Sequence, residues 1–133
     1  MAQSFILLVE DNPDDVFLAS RIIGKLCTDE ILVARDGEEA SELLRRMEQD
    51  GSHVRIRLVL LDLKLPKISG LDILQSIRDN ERLRHLPVAI LTSSDNETDQ
   101  ETCWELGVVD YIYKPMTADR LKSVLSRDGG AYD

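Results

Sequence analysis

Leu58-Val59-Leu60-Leu61-Asp62-Leu63-Lys64-Leu65-Pro66-Lys67-Ile68-Ser69-Gly70 is the stretch from which the fold is read. An unbroken Leu/Val run leads into a carboxylate, and Pro66 and Gly70 then interrupt the chain. An apolar run without alternation reads as a strand buried on both faces, the signature of a parallel sheet. Asp62 then stands where a central strand leaves the core, the edge at which open α/β sheets place ligands and chemistry. A half-buried carboxylate is costly without a partner, so the rest of the chain must supply one.

Similar runs recur. Phe5-Ile6-Leu7-Leu8-Val9 ends in Glu10-Asp11, and Asn12-Pro13 follow as cap and first residue of a helix with the stripe Val16, Ala19, Ile23 and Leu26. Glu30 to Ala34 is predicted as a strand near an edge. Asp36-Gly37 opens a helix with the stripe Ala40, Leu43, Leu44 and Met47, ended by Asp50-Gly51-Ser52. Beyond Gly70, Leu71, Leu74 and Ile77 mark a third helix. Val88-Ala89-Ile90-Leu91 is a fourth strand, running into Thr92-Ser93-Ser94. A fourth helix is predicted from about Asn96 to Leu106, with a thin stripe of Cys103, Trp104 and Leu106 and a cap at Gly107. Tyr111-Ile112-Tyr113 forms the fifth strand, ending in Lys114-Pro115, and Thr117 caps a helix carrying Leu121, Val124 and Leu125. Strict alternation of strands and helices implies parallel strands, right-handed crossovers and a three-layer α/β sandwich. No repeat or linker interrupts it, so residues 1–133 are predicted to form a single domain, with a core over 5–126 and a short frayed tail over 127–133.

The 133 residues suffice for one domain, and the net charge of -9 argues against nucleic acid or an anionic membrane as a direct partner. Cys27 and Cys103 lack metal-ligand spacing and read as reduced thiols. With no transmembrane-length run and no secretion signal at Met1-Ala2-Gln3-Ser4, a cytoplasmic location is expected.

In a parallel sheet the polar residues at the strand ends share one edge. Glu10 and Asp11, Asp62, Thr92 and Lys114 should therefore converge. Neighbouring acids repel, and a divalent cation relieves the repulsion; hard oxygen ligands with room for water suit Mg²⁺. Lys114 adds a fixed cation suited to an oxyanion. The set matches phosphoryl transfer onto a carboxylate, with Asp62 as nucleophile, Mg²⁺ neutralising oxygens, and Lys114 and Thr92 holding others. Taken singly, each piece has a plainer reading as a helix start, a turn or a cap. Their force lies in occurring together at successive strand ends.

These residues resemble the receiver domains of two-component response regulators, the family of the chemotaxis regulator. The resemblance spans residues 5 to 126 and rests on Glu10-Asp11, Leu60-Leu61-Asp62-Leu63, the spacing from Asp62 to Pro66 and Gly70, Thr92, and Lys114-Pro115. It implies a flavodoxin-like sheet of order 2-1-3-4-5 with five helices. It implies a response regulator whose Asp62 takes a phosphoryl group from a sensor histidine kinase and which catalyses only its own phosphorylation and dephosphorylation. Asp11, Asp62 and the carbonyl of Lys64 would bind Mg²⁺ directly, Glu10 through water, and the Lys114-Pro115 bond would be cis. Thr92 and Tyr111 would form the switch, Tyr111 turning from exposed to buried, and Lys64 and Ser94 would modulate the reaction. The fourth helix, fifth strand and fifth helix would carry the output surface.

Leu8-Val9-Glu10-Asp11-Asn12-Pro13-Asp14-Asp15, Leu65-Pro66-Lys67 and the long Arg78-to-Leu86 segment look most like the single-domain regulators that serve phytochrome-type kinases. Relatives of that kind imply a homodimer through the output face, with Trp104, Tyr113 and Val108 as its apolar patch. Two departures stand out. Lys64 occupies a position often filled by a neutral residue, which predicts an altered lifetime of the phosphorylated form, and Glu10 replaces the commoner Asp. The rivals are a haloacid dehalogenase-type phosphatase or phosphotransferase, a flavodoxin-like cofactor binder and a phosphorylation-independent interaction module. The first needs a second Asp where Lys64 stands, the second a Gly-rich loop where Glu10-Asp11 stand, and the third would lose Asp62 or Lys114.

Overall fold

The computed structural model describes residues 3–127, so most of the tail expected at 127–133 lies outside the described residues. The elements are β1 (Phe5–Val9), α1 (Pro13–Leu26), β2 (Glu30–Ala34), α2 (Gly37–Asp50), a 3₁₀ turn (Ser52–Arg55), β3 (Ile56–Leu61), α3 (Gly70–Asp79), β4 (Val88–Thr92), α4 (Glu97–Glu105), β5 (Asp110–Tyr113) and α5 (Ala118–Arg127). The strands form one sheet of order β2-β1-β3-β4-β5, every pair parallel. The parallel strands are those expected from the alternation, and their order is the flavodoxin-like one that the resemblance implies.

The two faces of the sheet follow the period of the strands. Leu7, Val9, Val59, Leu61, Val88 and Ile90 point to the layer of α2, α3 and α4, where Ala40, Leu44, Met47, Ile73, Leu74, Ile77 and Cys103 meet them. Ile6, Leu8, Leu58, Leu60, Ala89 and Leu91 point to α1 and α5 and pack on Val16, Ala19, Ile23, Leu121, Val124 and Leu125. Continuous apolar strands are therefore required on both sides, and β3 is buried over Leu58–Leu61.

Caps set the helix starts. The Asn12 side chain accepts from the amides of Asp14 and Asp15, Asp36 from that of Glu39, Ser69 from that of Asp72, and Asn96 from that of Asp99. Gly51 and Gly107 take the left-handed conformation that ends α2 and α4. Three expectations are corrected. On α3 it is Ile73 that is buried, while Leu71 is only partly so, because the helix enters the layer rotated by its tight start at Gly70. On α4 only Cys103 is buried, with Trp104 turned to solvent. Val108 is no part of a surface patch: after the turn at Gly107 its amide reaches back to the Cys103 carbonyl and its side chain enters the core.

Candidate functional site

Each site residue is held one step beyond its strand by a bond that prolongs the ladder. The Glu10 amide donates to Ala34 at 2.9 Å, the Asp62 amide to Val9 at 3.0 Å, and the Lys114 amide to Thr92 at 2.9 Å. Glu10, Asp62 and Lys114 are thus brought together at one end of the sheet. The Lys114–Pro115 peptide bond is cis. Gly70 closes the wall: its amide donates to Leu63 at 3.0 Å, and its α-carbon sits against the Asp62 carbonyl.

At the centre is the Lys114 ammonium. It donates to Asp62 Oδ2 at 2.9 Å and to Asp15 Oδ2 at 2.8 Å, and forms an ion pair with Glu10 Oε1 at 2.7 Å. Burial by itself would lower the lysine's pKa, but the bonds from Asp15, Glu10 and Asp62 outweigh it and raise the pKa above its ordinary value. Glu10 is buried, and that burial raises its carboxyl above the usual range. Lys114 and the Asn12 amide pull it back, and the charge of Asp62 pushes it up again. Asp62 is also buried; its Oδ1 accepts from the Lys64 amide at 3.2 Å.

Glu10, Asp11 and Asp62 each offer a carboxylate oxygen, and these oxygens lie within 4.8 Å of one another. The fit to a hard divalent cation is good. The donors are all oxygen, Asp11 is open to solvent, and Glu10 Oε1 is buried with no hydrogen-bond partner among the described residues, though it is ion-paired with Lys114. The chain therefore has the acidic pocket required to bind Mg²⁺.

The remaining predicted residues fall around this centre. Thr92 is buried at the end of β4, its hydroxyl accepting from the Ser94 amide at 3.2 Å, and Ser94 is buried beside it. Tyr111 is buried here, with its hydroxyl donating to the Ser94 carbonyl at 3.0 Å. Lys64 is exposed, and only its backbone meets Asp62. Asp15 is a site residue that sequence reasoning misses. The available signal is its place in the first turn of α1, a helix that starts at the same sheet edge.

An open parallel sheet with an acid pocket facing a lysine defines a receiver domain. The chain belongs to the response regulator receiver domain family, whose model matches residues 6–126. Response regulator Rcp1 of Synechocystis sp. is 38% identical over 110 residues, 82% of this chain and 75% of that protein. The Mn²⁺-bound structure of Rcp1 superposes with a TM-score of 0.76 at 36% identity, covering 92% of this chain and 90% of that one. The bacteriophytochrome response regulator AtBRR superposes with a TM-score of 0.81 at 40% identity, covering 97% and 94%. The phosphorylated cyanobacterial phytochrome response regulator RcpA does so with a TM-score of 0.77 at 34% identity, covering 95% and 91%. A probable cyclic di-GMP phosphodiesterase of Vibrio cholerae is 36% identical over 123 residues, 92% of this chain but 26% of that protein. Among the described residues no helix is long and apolar enough to cross a membrane.

Proposed function

We propose that Asp62 accepts a phosphoryl group from a phosphohistidine of a sensor kinase, and that the kinase is of phytochrome type. The observation that carries this reading is the Lys114 ammonium 2.9 Å from Asp62 Oδ2, in a pocket shared with Glu10 and Asp11. An Asp62 oxygen bonds to phosphorus as the bond from phosphorus to the imidazole nitrogen breaks. The electron pair of the broken bond stays on that nitrogen, and the Asp62 oxygen supplies the pair of the new one. Lys114 and the Thr92 hydroxyl hold phosphoryl oxygens. Asp11, Asp62 and the Lys64 carbonyl, with Glu10 through water, would hold Mg²⁺, which would neutralise the remaining charge when bound. The chain's chemistry ends with gain and loss of this group, and residues 1–133 act as one receiver unit. Thr92 and Tyr111 carry the change to the face of α4, β5 and α5, where half-exposed Trp104 and Tyr113 provide contact area for a partner or a second copy. The nearness in sequence and fold to Rcp1, AtBRR and RcpA supports the choice of kinase.

The test is incubation with phosphoramidate and Mg²⁺ followed by intact mass. One added phosphoryl group is expected, absent from Asp62→Asn and absent when the metal is chelated. An unmodified wild-type chain, or a label that survives Asp62→Asn, overturns the reading. Phosphoryl transfer from a purified phytochrome-type kinase then tests the choice of partner.

A further inference from the structure

The Lys114 ammonium has three protons and faces three carboxylates. Glu10 lies 2.7 Å away on the β1 edge, Asp62 2.9 Å away just past β3, and Asp15 2.8 Å away on the first turn of α1. A phosphoryl group on Asp62 brings several new anionic oxygens to the same ammonium. One takes over the Asp62 contact, and a second can be bound only if Glu10 or Asp15 gives up its own. Glu10 has a side chain only 1% exposed, so bulk water cannot take the lysine's place beside it. Asp15 has a side chain 33% exposed, so water replaces the lysine at small cost when the contact opens.

We propose that Asp15 is the exchangeable partner of Lys114. It holds the ammonium while Asp62 is unmodified and surrenders it to a phosphoryl oxygen afterwards. Asp15 is thus a positioning residue that restrains phosphorylation by competing for the cation the incoming group needs. This rests on Asp62 being the acceptor, as proposed above. The competition is specific to position: Asp14, the other acid in the first turn of α1, is exposed and has the same favourable place on the helix dipole.

The experiment compares wild type, Asp15→Asn and Asp14→Asn, each with phosphoramidate and saturating Mg²⁺, following the initial rate by intact mass. Asp15→Asn keeps the side-chain shape and leaves Glu10 and Asp62 to hold the lysine. Its rate should rise about threefold to tenfold, the scale of losing one partly exposed charged competitor, while Asp14→Asn stays at the wild-type rate. A second readout is the Lys114 ammonium resonance by NMR. Wild type and Asp15→Asn should differ in the unmodified protein and coincide once beryllium fluoride, a phosphoryl mimic, occupies Asp62. A wild-type chain that is phosphorylated no more slowly than Asp15→Asn overturns the exchange alone. So does an equal rise in Asp14→Asn, which would mean bulk charge, or a resonance difference that persists with the mimic. A wild-type chain that takes no phosphoryl group at all overturns the acceptor reading and this inference with it.

Discussion

The Tyr111 hydroxyl donates to the Ser94 carbonyl at 3.0 Å, tying β5 to the loop between β4 and α4 with the ring fully inside. Burial pushes the Tyr111 phenol from its ordinary 10 up to about 12, with the neighbouring Cys103 and Tyr113 adding to the rise. A group whose pKa is higher in the folded state stabilises the fold below its unfolded value and ceases to do so above the folded one. Tyr111 should therefore support the fold up to pH 10 and lose that effect as the pH rises through about 12. Tyr111→Phe should cost about 1 kcal/mol near neutral pH, where it removes only the hydrogen bond. Denaturant unfolding of both proteins between pH 10 and 12 checks the sign: the gap should narrow, and a widening gap would refute it.

Lys64 reaches the site by its backbone, through the amide that donates to Asp62 Oδ1 at 3.2 Å. Lys64→Asn keeps that donor and removes only an exposed cation at the mouth of the pocket. Without the cation, a phosphoryl group on Asp62 is less well neutralised and more open to water. The half-life of the phosphorylated form should fall about threefold to tenfold, and salt should shrink the difference. Timing the loss of the added mass in the two proteins decides it, and equal half-lives dismiss any role for the side chain.

The strand ends of β1, β3 and β4 are legible because each follows an unbroken run of buried apolar residues, so the first polar residue after the run announces itself, while Lys114 is marked by the proline after it. Glu10, Asp62 and Thr92 are of this kind. Asp15 is hidden, because its role depends on a contact with a residue ninety-nine positions away, and in its own segment it reads as an ordinary first-turn acid. Arg78 is hidden for a similar reason: a cation in the last turn of a helix is usually solvated, and only the packed structure shows what it binds. The exchange of Leu71 for Ile73 in the core arises from a rotation of a few tens of degrees about the helix axis, which spacing alone does not fix.

Arg78 fastens α3 to the far end of α4. Its Nε donates to the Leu106 carbonyl at 2.6 Å and its Nη2 to Gly107 at 3.2 Å, while Nη1 reaches Leu86 at 2.8 Å and Arg84 at 3.0 Å. These carbonyls belong to the end of a helix and a turn, where backbone partners run short. The burial that this anchorage demands lowers the arginine's pKa below its ordinary value. Arg78→Met should cost about 2–3 kcal/mol, since several carbonyls lose a charged donor together. Amides 106–108 should exchange faster with solvent while those of α1 keep their protection. A loss of stability with α4's end still protected would show that Arg78 supports only the α3–β4 turn.

Gly70 and Gly24 test the same substitution in opposite surroundings. A Cβ on Gly70 would lie 2.1 Å from the Asp62 carbonyl oxygen, 2.6 Å from the Leu63 α-carbon and 2.9 Å from the Asp62 carbonyl carbon. All of these are backbone atoms of the segment that aims Asp62, so no side chain can swing away to make room. Either α3 retreats from the sheet or Asp62 shifts in the pocket. Gly70→Ala should therefore lose about 2–4 kcal/mol and weaken Mg²⁺ binding at least tenfold by calorimetry, although it touches no ligand. Gly24 sits exposed in α1 with nothing within 4 Å of the place a Cβ would take, and its helical backbone already suits alanine. Gly24→Ala should gain about 0.5–1 kcal/mol and leave Mg²⁺ affinity unchanged. If Gly70→Ala bound Mg²⁺ as tightly as wild type, the close approach of α3 to β3 would not be what fixes the position of Asp62.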